Sequence, residues 1–347
     1  MADASRHPLG RSCLPMNPTT PLRHRTAQLS SDQPRRSGRF GLVLLTTALL
    51  AATACGTDSR SASGSPATTS TAADATTTTP VAPPTTTVPL IARPTATIDE
   101  HVDIRGVRVH VRCVGHGDTT VLLIAGFGGD SNSWASIEPS IADGARVCSY
   151  DRPGTGTSDP AASNATFTTQ ARELRALLDT IGEPGPYVAV GHSFGGAVAI
   201  TFASLFTDEV TGLVLVDASP TTWPAALCAV AEDGSEGAEM LRGLCTNAFP
   251  PTGNGEQLDV VAAFAEASQI ASLGSLPMAV ITATRREVPA DLAAPEVERL
   301  NDAWDQGQQA WMALSSNARL VAVDDTGHNV QIDQPGVVID EITRLLP

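Results

Sequence analysis

The stretch "YVAVGHSFGGAVAI", residues 187–200, sets Ser193 between an apolar run that reads as a strand and another that reads as a helix. Glycines stand two residues before it and two residues after it, at 191 and 195. On so sharp a turn the hydroxyl stands clear of both elements, as a nucleophile must. Glycine leaves no Cβ to collide where strand and helix approach. A helix starting at Phe194 also points its amino end at the same spot, which favours developing negative charge. The chemistry implied is attack on an acyl carbon followed by transfer to water. A bare five-residue match would equally suit an idle glycine turn; the strand before and the helix after it favour the nucleophile.

A serine hydroxyl needs a base. The histidines are 7, 24, 101, 110, 116, 192 and 328. The first two precede the globular region, 101 and 110 fall in an early hairpin, and 116 falls in the turn after it. His192 sits inside the turn itself and is expected to aim away from Ser193. Only His328, in "DDTGHNVQIDQP", follows the last strand on a short Thr-Gly loop. A neutral imidazole there can take the serine proton and return it to the leaving group.

The surrounding pattern supplies the elements. "VDIRGVRVHVRCVG" alternates around a glycine and predicts a hairpin. The continuous apolar run at 120–126 predicts a buried central strand, and 145–151, 186–191, 212–217, 276–283 and 318–325 read as further strands. Helical periodicity appears at 166–182, 194–206 and 300–314, and again over the last residues of the chain. Alternation of this kind predicts an α/β fold with a mostly parallel sheet, functional groups gathering at the carboxyl ends of its strands. Residues 218–275 break the rhythm and read as an inserted cap of short helices.

Five motifs in order resemble the α/β-hydrolase family over about 100–347: "LLIAGFGGDSNSW", "YDRPGTGTSD", "GHSFGG", "GLVLVDASP" and "DDTGHNVQIDQP". The resemblance implies Ser193 as nucleophile, His328 as base, and the backbone amides of Phe127 and Phe194 as oxyanion donors. It also implies a cap after the sixth strand. The family usually carries its acid after the seventh strand, where this chain has "ITATRREVPAD", with Arg286 near the expected position and Glu287 beside it. Some members take the acid from the exit of the sixth strand, where Asp217 lies. Asp217 is therefore expected, with Glu287 as the alternative and Asp291 behind both. Asp151 and Arg152 are expected to support loops rather than to react. The expected activity is that of a serine hydrolase cleaving ester or related acyl bonds of a small molecule or lipid, without metal or cofactor. The alternative is a non-catalytic surface lipoprotein that uses the same fold to bind a ligand.

Composition limits the partners. The chain has 347 residues and a net charge of −15, with arginine as its only strongly basic residue. Seven arginines lie in the first 54 residues; the remainder sets 15 arginines against 35 acids. No basic stripe is left to displace phosphate counterions, so nucleic acid is not expected as a partner.

"RRSGRFGLVLLTTALLAATACG", residues 35–56, has arginines, then an apolar run too short for a comfortable membrane span, then Cys55. It resembles a bacterial lipoprotein signal, which implies export and a membrane tether through lipidated Cys55; Met16 is an alternative start. The expected division is a targeting segment at 1–54, a Thr/Pro/Ser/Ala-rich linker at 55–97 and a hydrolase domain at 98–347. The linker holds too few large apolar residues to offset its ordering entropy. Cysteines 113, 148, 228 and 245 remain in the domain, an even number that suits two disulfides in an exported protein. Four cysteines allow three pairings. The strand order of the family sets the second strand beside the fourth, which implies Cys113–Cys148 and leaves Cys228–Cys245 within the cap.

Overall fold

The computed structural model describes residues 95–162, 164–230 and 234–347. The expected targeting segment, Cys55 and the linker up to residue 94 lie outside the described residues.

Eight strands form one sheet: β1 (Ile98–Ile104), β2 (Val107–Val114), β3 (Thr120–Ile124), β4 (Arg146–Tyr150), β5 (Tyr187–His192), β6 (Val210–Val216), β7 (Met278–Ala283) and β8 (Ala318–Val323). Their spatial order is β1-β2-β4-β3-β5-β6-β7-β8. β2 pairs antiparallel with β1 and β4, and every later pairing is parallel. The helices are α1 (Glu138–Ala142), α2 (Phe167–Ile181), α3 (Phe194–Leu205), α4 (Trp223–Val230), α5 (Glu236–Gly243), α6 (Val260–Ala267), α7 (Ala294–Met312), α8 (Val330–Asp333) and α9 (Pro335–Leu345). α4, α5 and α6 occupy the insertion between β6 and β7, where short helices are expected. α7 begins six residues before the periodic signal at 300, opening on Ala294-Pro295-Glu296, where a proline near the start fits the missing helical acceptor.

The continuous apolar strands follow from burial on both faces. Leu122, Ile124, Ala189, Leu213 and Leu215 join one core, which holds Leu174 of α2 and Phe202 of α3. Their neighbours Val121, Leu123, Val188, Val190 and Val214 join the other, with Ile141 of α1 and Ile342 of α9. Successive strand residues point to opposite faces, so a strand covered on both sides cannot alternate in polarity. α2 has its stops written locally. The Thr166 side chain accepts from Thr169 N–H, Thr169 returns the bond, and Gly182 ends the helix at φ 69°.

Both expected disulfides are present, Cys113–Cys148 and Cys228–Cys245. Cys113 stands directly opposite Cys148 in the β2–β4 ladder. That bond closes a loop of 35 residues, and its loss should cost about 3–4 kcal/mol by restoring freedom to the unfolded chain. The double variant Cys113→Ala, Cys148→Ala should accordingly show a lower midpoint in urea, measured beside the wild type without reductant.

Candidate active site

The turn at Ser193 is built from close backbone contacts. A Cβ on Gly191 would stand 2.3 Å from the Gly195 carbonyl oxygen, and one on Gly195 would stand 2.2 Å from the Ile124 carbonyl oxygen. The strand can therefore meet the helix only with glycine at both places. Between them Ser193 adopts φ 53° and ψ −124°, a region that costs a non-glycine residue about 1–3 kcal/mol. Its backbone is held: Ser193 N–H donates to Val216 O at 3.1 Å, and Ser193 O accepts from Gly196 N–H at 3.0 Å and Ser219 N–H at 3.1 Å.

Asp217 leaves the end of β6 at φ 42° and is buried. Its Oδ2 lies 2.7 Å from His328 Nδ1. Its Oδ1 accepts from Ala283 N–H at 3.0 Å, Trp304 Nε1–H at 3.2 Å and, more weakly, Thr282 Oγ1–H at 3.4 Å. Both oxygens are thus engaged, which is what a buried carboxylate requires. Arg286 Nη1 stands 3.9 Å from Oδ1, and its Nη2 donates to Asp305. The position that usually bears the acid here carries a guanidinium facing the carboxylate of the neighbouring strand. Glu287 is exposed and lies over Gly327, one residue before His328, without bonding the imidazole. Asp291 instead accepts from Gly237 N–H.

Ser193, His328 and Asp217 line one cavity of ≈ 340 Å³. Its walls are largely apolar, with Trp223 and Leu227 from α4, Leu241 from α5 and Trp304 from α7. Among the described residues no hydrogen bond joins Ser193 Oγ to His328; Ser193 Oγ instead meets Ser219 Oγ at 3.2 Å. A more polar cleft of ≈ 520 Å³ lies along β7, β8 and α7, sharing Arg286 and Val288 with the first. It contains neither Ser193 nor His328 and so lacks the reactive groups.

The amides of Phe127 and Phe194 make no hydrogen bond among the described residues. Phe194 opens α3, and a first helical N–H has no partner within the helix. Their rings stack at 5.0 Å and line the same cavity. The loop before Phe127 is clamped. Buried Arg152 donates from Nη1 to Ala125 O at 2.7 Å and from Nη2 to Gly126 O at 2.6 Å. It also pairs with Glu256, which accepts from Nε at 2.8 Å and Nη2 at 3.0 Å. Glu256 further accepts from Gly128 N–H at 2.7 Å and Gln170 Nε2–H at 2.9 Å. Burial alone would raise the Glu256 pKa; the Arg152 charge and these donors outweigh it and hold it below the ordinary carboxylate range.

Glu256, Gln170 and Ser219 carry no role in the sequence reading. Arg152 was assigned only loop support, and the structure specifies which loop. His192 does more than face away from Ser193. Its Nε2 donates to the His328 backbone carbonyl at 2.9 Å, tying the base-bearing loop to the turn. Burial first, and then the nearby His328, push the His192 pKa down to about 4. No short motif carries these contacts, since their partners are 26 to 136 residues apart.

The alpha/beta hydrolase fold family matches residues 119–249. The uncharacterized protein YqjL of Bacillus subtilis is 25% identical over 224 residues, covering 65% of this chain and 82% of that protein. A 2-hydroxy-6-oxononadienedioate/2-hydroxy-6-oxononatrienedioate hydrolase of Dechloromonas aromatica is 33% identical over 143 residues, 40% of this chain; the chain spans about half (48%) of that enzyme. A thermophilic esterase from Thermogutta terrifontis superposes with a TM-score of 0.52 at 21% identity, over 72% of this chain and 97% of that one. The chain has the α/β-hydrolase fold, with its eight-stranded, mostly parallel sheet flanked by helices.

Two outcomes follow from the buried groups. His192 binds a proton near pH 6.5 when unfolded but only near pH 4 when folded. Above pH 6.5 neither state is protonated and the group contributes nothing to the pH dependence. As pH falls from 6.5 towards 4 the unfolded state takes up the proton first, so stability drops by up to about 3 kcal/mol. His192→Gln, which keeps a donor and does not titrate, should flatten that part of a stability-against-pH curve. Glu256→Ala leaves the Arg152 guanidinium buried without its counter-charge, so urea unfolding should show a loss of about 3–5 kcal/mol.

Proposed function

We propose that the protein is a serine hydrolase cleaving ester or related acyl bonds through an acyl-enzyme. The observation that carries this reading is the Asp217–His328 pair at 2.7 Å, sharing one apolar cavity with a serine on a strained strand-to-helix turn. In the reading, His328 Nε2 takes the Ser193 proton as Oγ bonds the acyl carbon. Asp217 fixes the tautomer by accepting from Nδ1–H and stabilises the imidazolium. The free N–H groups of Phe127 and Phe194 receive the oxyanion, a contribution worth about 10²–10³ in rate per donor. The leaving group departs with the proton from His328, and water repeats the sequence to release the acid.

The apolar walls suit a small-molecule or lipid acyl group, and the absence of a basic stripe argues against nucleic acid. The hydrolase from Dechloromonas aromatica and the Thermogutta esterase lend the reaction class further support. Export fits the two disulfides, which persist in oxidising compartments. The tether through Cys55 remains part of the proposal on sequence grounds. A non-catalytic ligand-binding role draws on one observation, the Ser193 hydroxyl meeting Ser219 rather than His328.

A fluorophosphonate separates the two, because only an activated serine reacts rapidly. The full chain should take up one label at Ser193 and hydrolyse p-nitrophenyl esters. Ser193→Ala should abolish both properties. Asp217→Asn should lower kcat by about 10⁴-fold, and Glu287→Gln should leave it within twofold. Collapse of turnover in Glu287→Gln, with Asp217→Asn active, would reassign the acid. A wild type that neither labels nor turns over would support the binding role.

A further inference from the structure

Among the described residues, Ser219 is the one hydroxyl that bonds the side chain of the proposed nucleophile. Its Oγ lies 3.2 Å from Ser193 Oγ and has no other hydrogen-bond partner among the described residues. The residue is buried, at 2% exposure, and faces the cavity shared by Ser193 and His328.

Its position is fixed from three directions. Ser219 N–H donates to Ser193 O at 3.1 Å, so the two residues are joined through backbone and side chain alike. The preceding carbonyl, Ala218 O, accepts from Gln308 Nε2–H at 2.8 Å. The following residue, Pro220, packs against α7 so closely that a Cβ on Gly307 would stand 2.1 Å from its ring. A proline next in sequence also restricts the Ser219 backbone to extended conformations. A donor held this firmly needs no reorganisation when charge develops beside it.

The direction of the bond follows from the chemistry. When Ser193 gives its proton to His328, or when its oxygen carries an acyl group, Oγ has no proton to donate. Ser219 must then be the donor. We propose that Ser219 is a further catalytic residue, whose O–H donates to Ser193 Oγ and stabilises the charge that oxygen carries as the acyl bond forms and breaks. The inference rests on the serine hydrolase reading.

In acylation the Oγ–carbon bond forms while the Ser193 proton passes to His328 Nε2 and the carbonyl electron pair moves to the oxyanion. The oxyanion then collapses, the bond from the acyl carbon to the leaving oxygen breaks, and the proton held by His328 goes to the leaving group, which restores a neutral imidazole. In deacylation water adds to the acyl carbon and its proton goes to His328. The oxyanion then collapses, the carbon–Oγ bond breaks, and its electron pair returns to Oγ, which takes the proton from His328. Ser219 keeps its own proton throughout. A donor on Oγ weakens that oxygen as an attacking group but helps it as a departing one, so its loss falls mainly on deacylation.

The test is pre-steady-state hydrolysis of p-nitrophenyl butyrate by the full chain, with Ser219→Ala and Ser219→Thr beside the wild type. The alanine variant should deacylate about tenfold more slowly, with acylation changed less than threefold. Its p-nitrophenol burst should approach one equivalent per enzyme, and the threonine variant should recover at least half of the lost rate. A merely structural role would slow both steps together or reduce the fraction labelled by fluorophosphonate. Should the alanine variant fail to fold, Ser219→Cys, a near-isostere and weaker donor, should show the same selective slowing. Equal changes in the two steps, no change, or faster turnover without the hydroxyl would overturn the inference while leaving Ser193 as nucleophile. A wild type that fluorophosphonate does not label would remove the parent reading instead, and this inference with it.

Discussion

The site depends on how closely the end of β5 approaches the start of α3 and the end of β3. Gly191 and Gly195 leave no space for a side chain on either. The approach forces Ser193 to φ 53°, and the strain is borne by a strand whose residues are all buried and, from Tyr187 to Gly191, flanked by a paired strand on each side. A central parallel strand is the place for such a turn, because both sheet faces already hold it in register. Relaxing the turn would unseat Ser193 N–H from Val216 O and Ser193 O from Ser219 N–H together. Ser193, the β6 exit that bears Asp217, and the Ser219 hydroxyl therefore share one backbone framework.

The displaced acid has a simple geometric account. β6 and β7 are parallel neighbours, with Val216 beside Ile281, and Asp217 N–H continues the ladder by donating to Ile281 O at 2.8 Å. Their carboxyl ends consequently lie side by side, and a carboxylate at either exit can reach the same imidazole. With Asp217 bonding His328 from the exit of β6, no carboxylate is needed for that contact after β7. Arg286 occupies it and faces Asp217 Oδ1 at 3.9 Å while pairing with exposed Asp305. A second carboxylate there would have placed like charges at close range, which raises the pKa of one of them.

What was legible in the sequence was local. The central strands β3 to β7 showed as apolar runs because both sheet faces are covered there. The turn at Ser193 showed because close approach demands glycine at fixed offsets, and His328 showed because it alone follows the last strand. The early turns of α7 were hidden, since "APEVER" is mostly exposed and carries little apolar periodicity. The long-range polar contacts left no trace. His192 looks like filler within the turn, and its bond to the His328 carbonyl spans 136 residues. Ser219 reads as the residue before a proline, and only the β5–β6 pairing brings it to Ser193. Such partners are set by topology, which spacing along the chain does not encode.

The Arg152–Glu256 pair shows why a buried ion pair is retained where an apolar contact would pack as well. The loop leaving β3 turns its Ala125 and Gly126 carbonyls inward, and buried acceptors must be satisfied. A guanidinium meets two carbonyls and a carboxylate at once because its donors fan out in one plane. Its charge then demands a buried acid, and Glu256 from the insertion supplies it while also receiving Gly128 N–H. The peptide groups on both sides of Phe127 are thereby fixed by one network that includes a residue of the insertion. Any displacement of Glu256 would release acceptors and a charge together, so this end of the insertion is bound to the loop. The Cys228–Cys245 bond joins α4 to the short helical segment after α5, and the wall residues Leu227 and Leu244 are their immediate neighbours in sequence. The insertion is thus bound to the loop after β3 through charge, and two of its own wall-bearing segments are joined by a covalent bond.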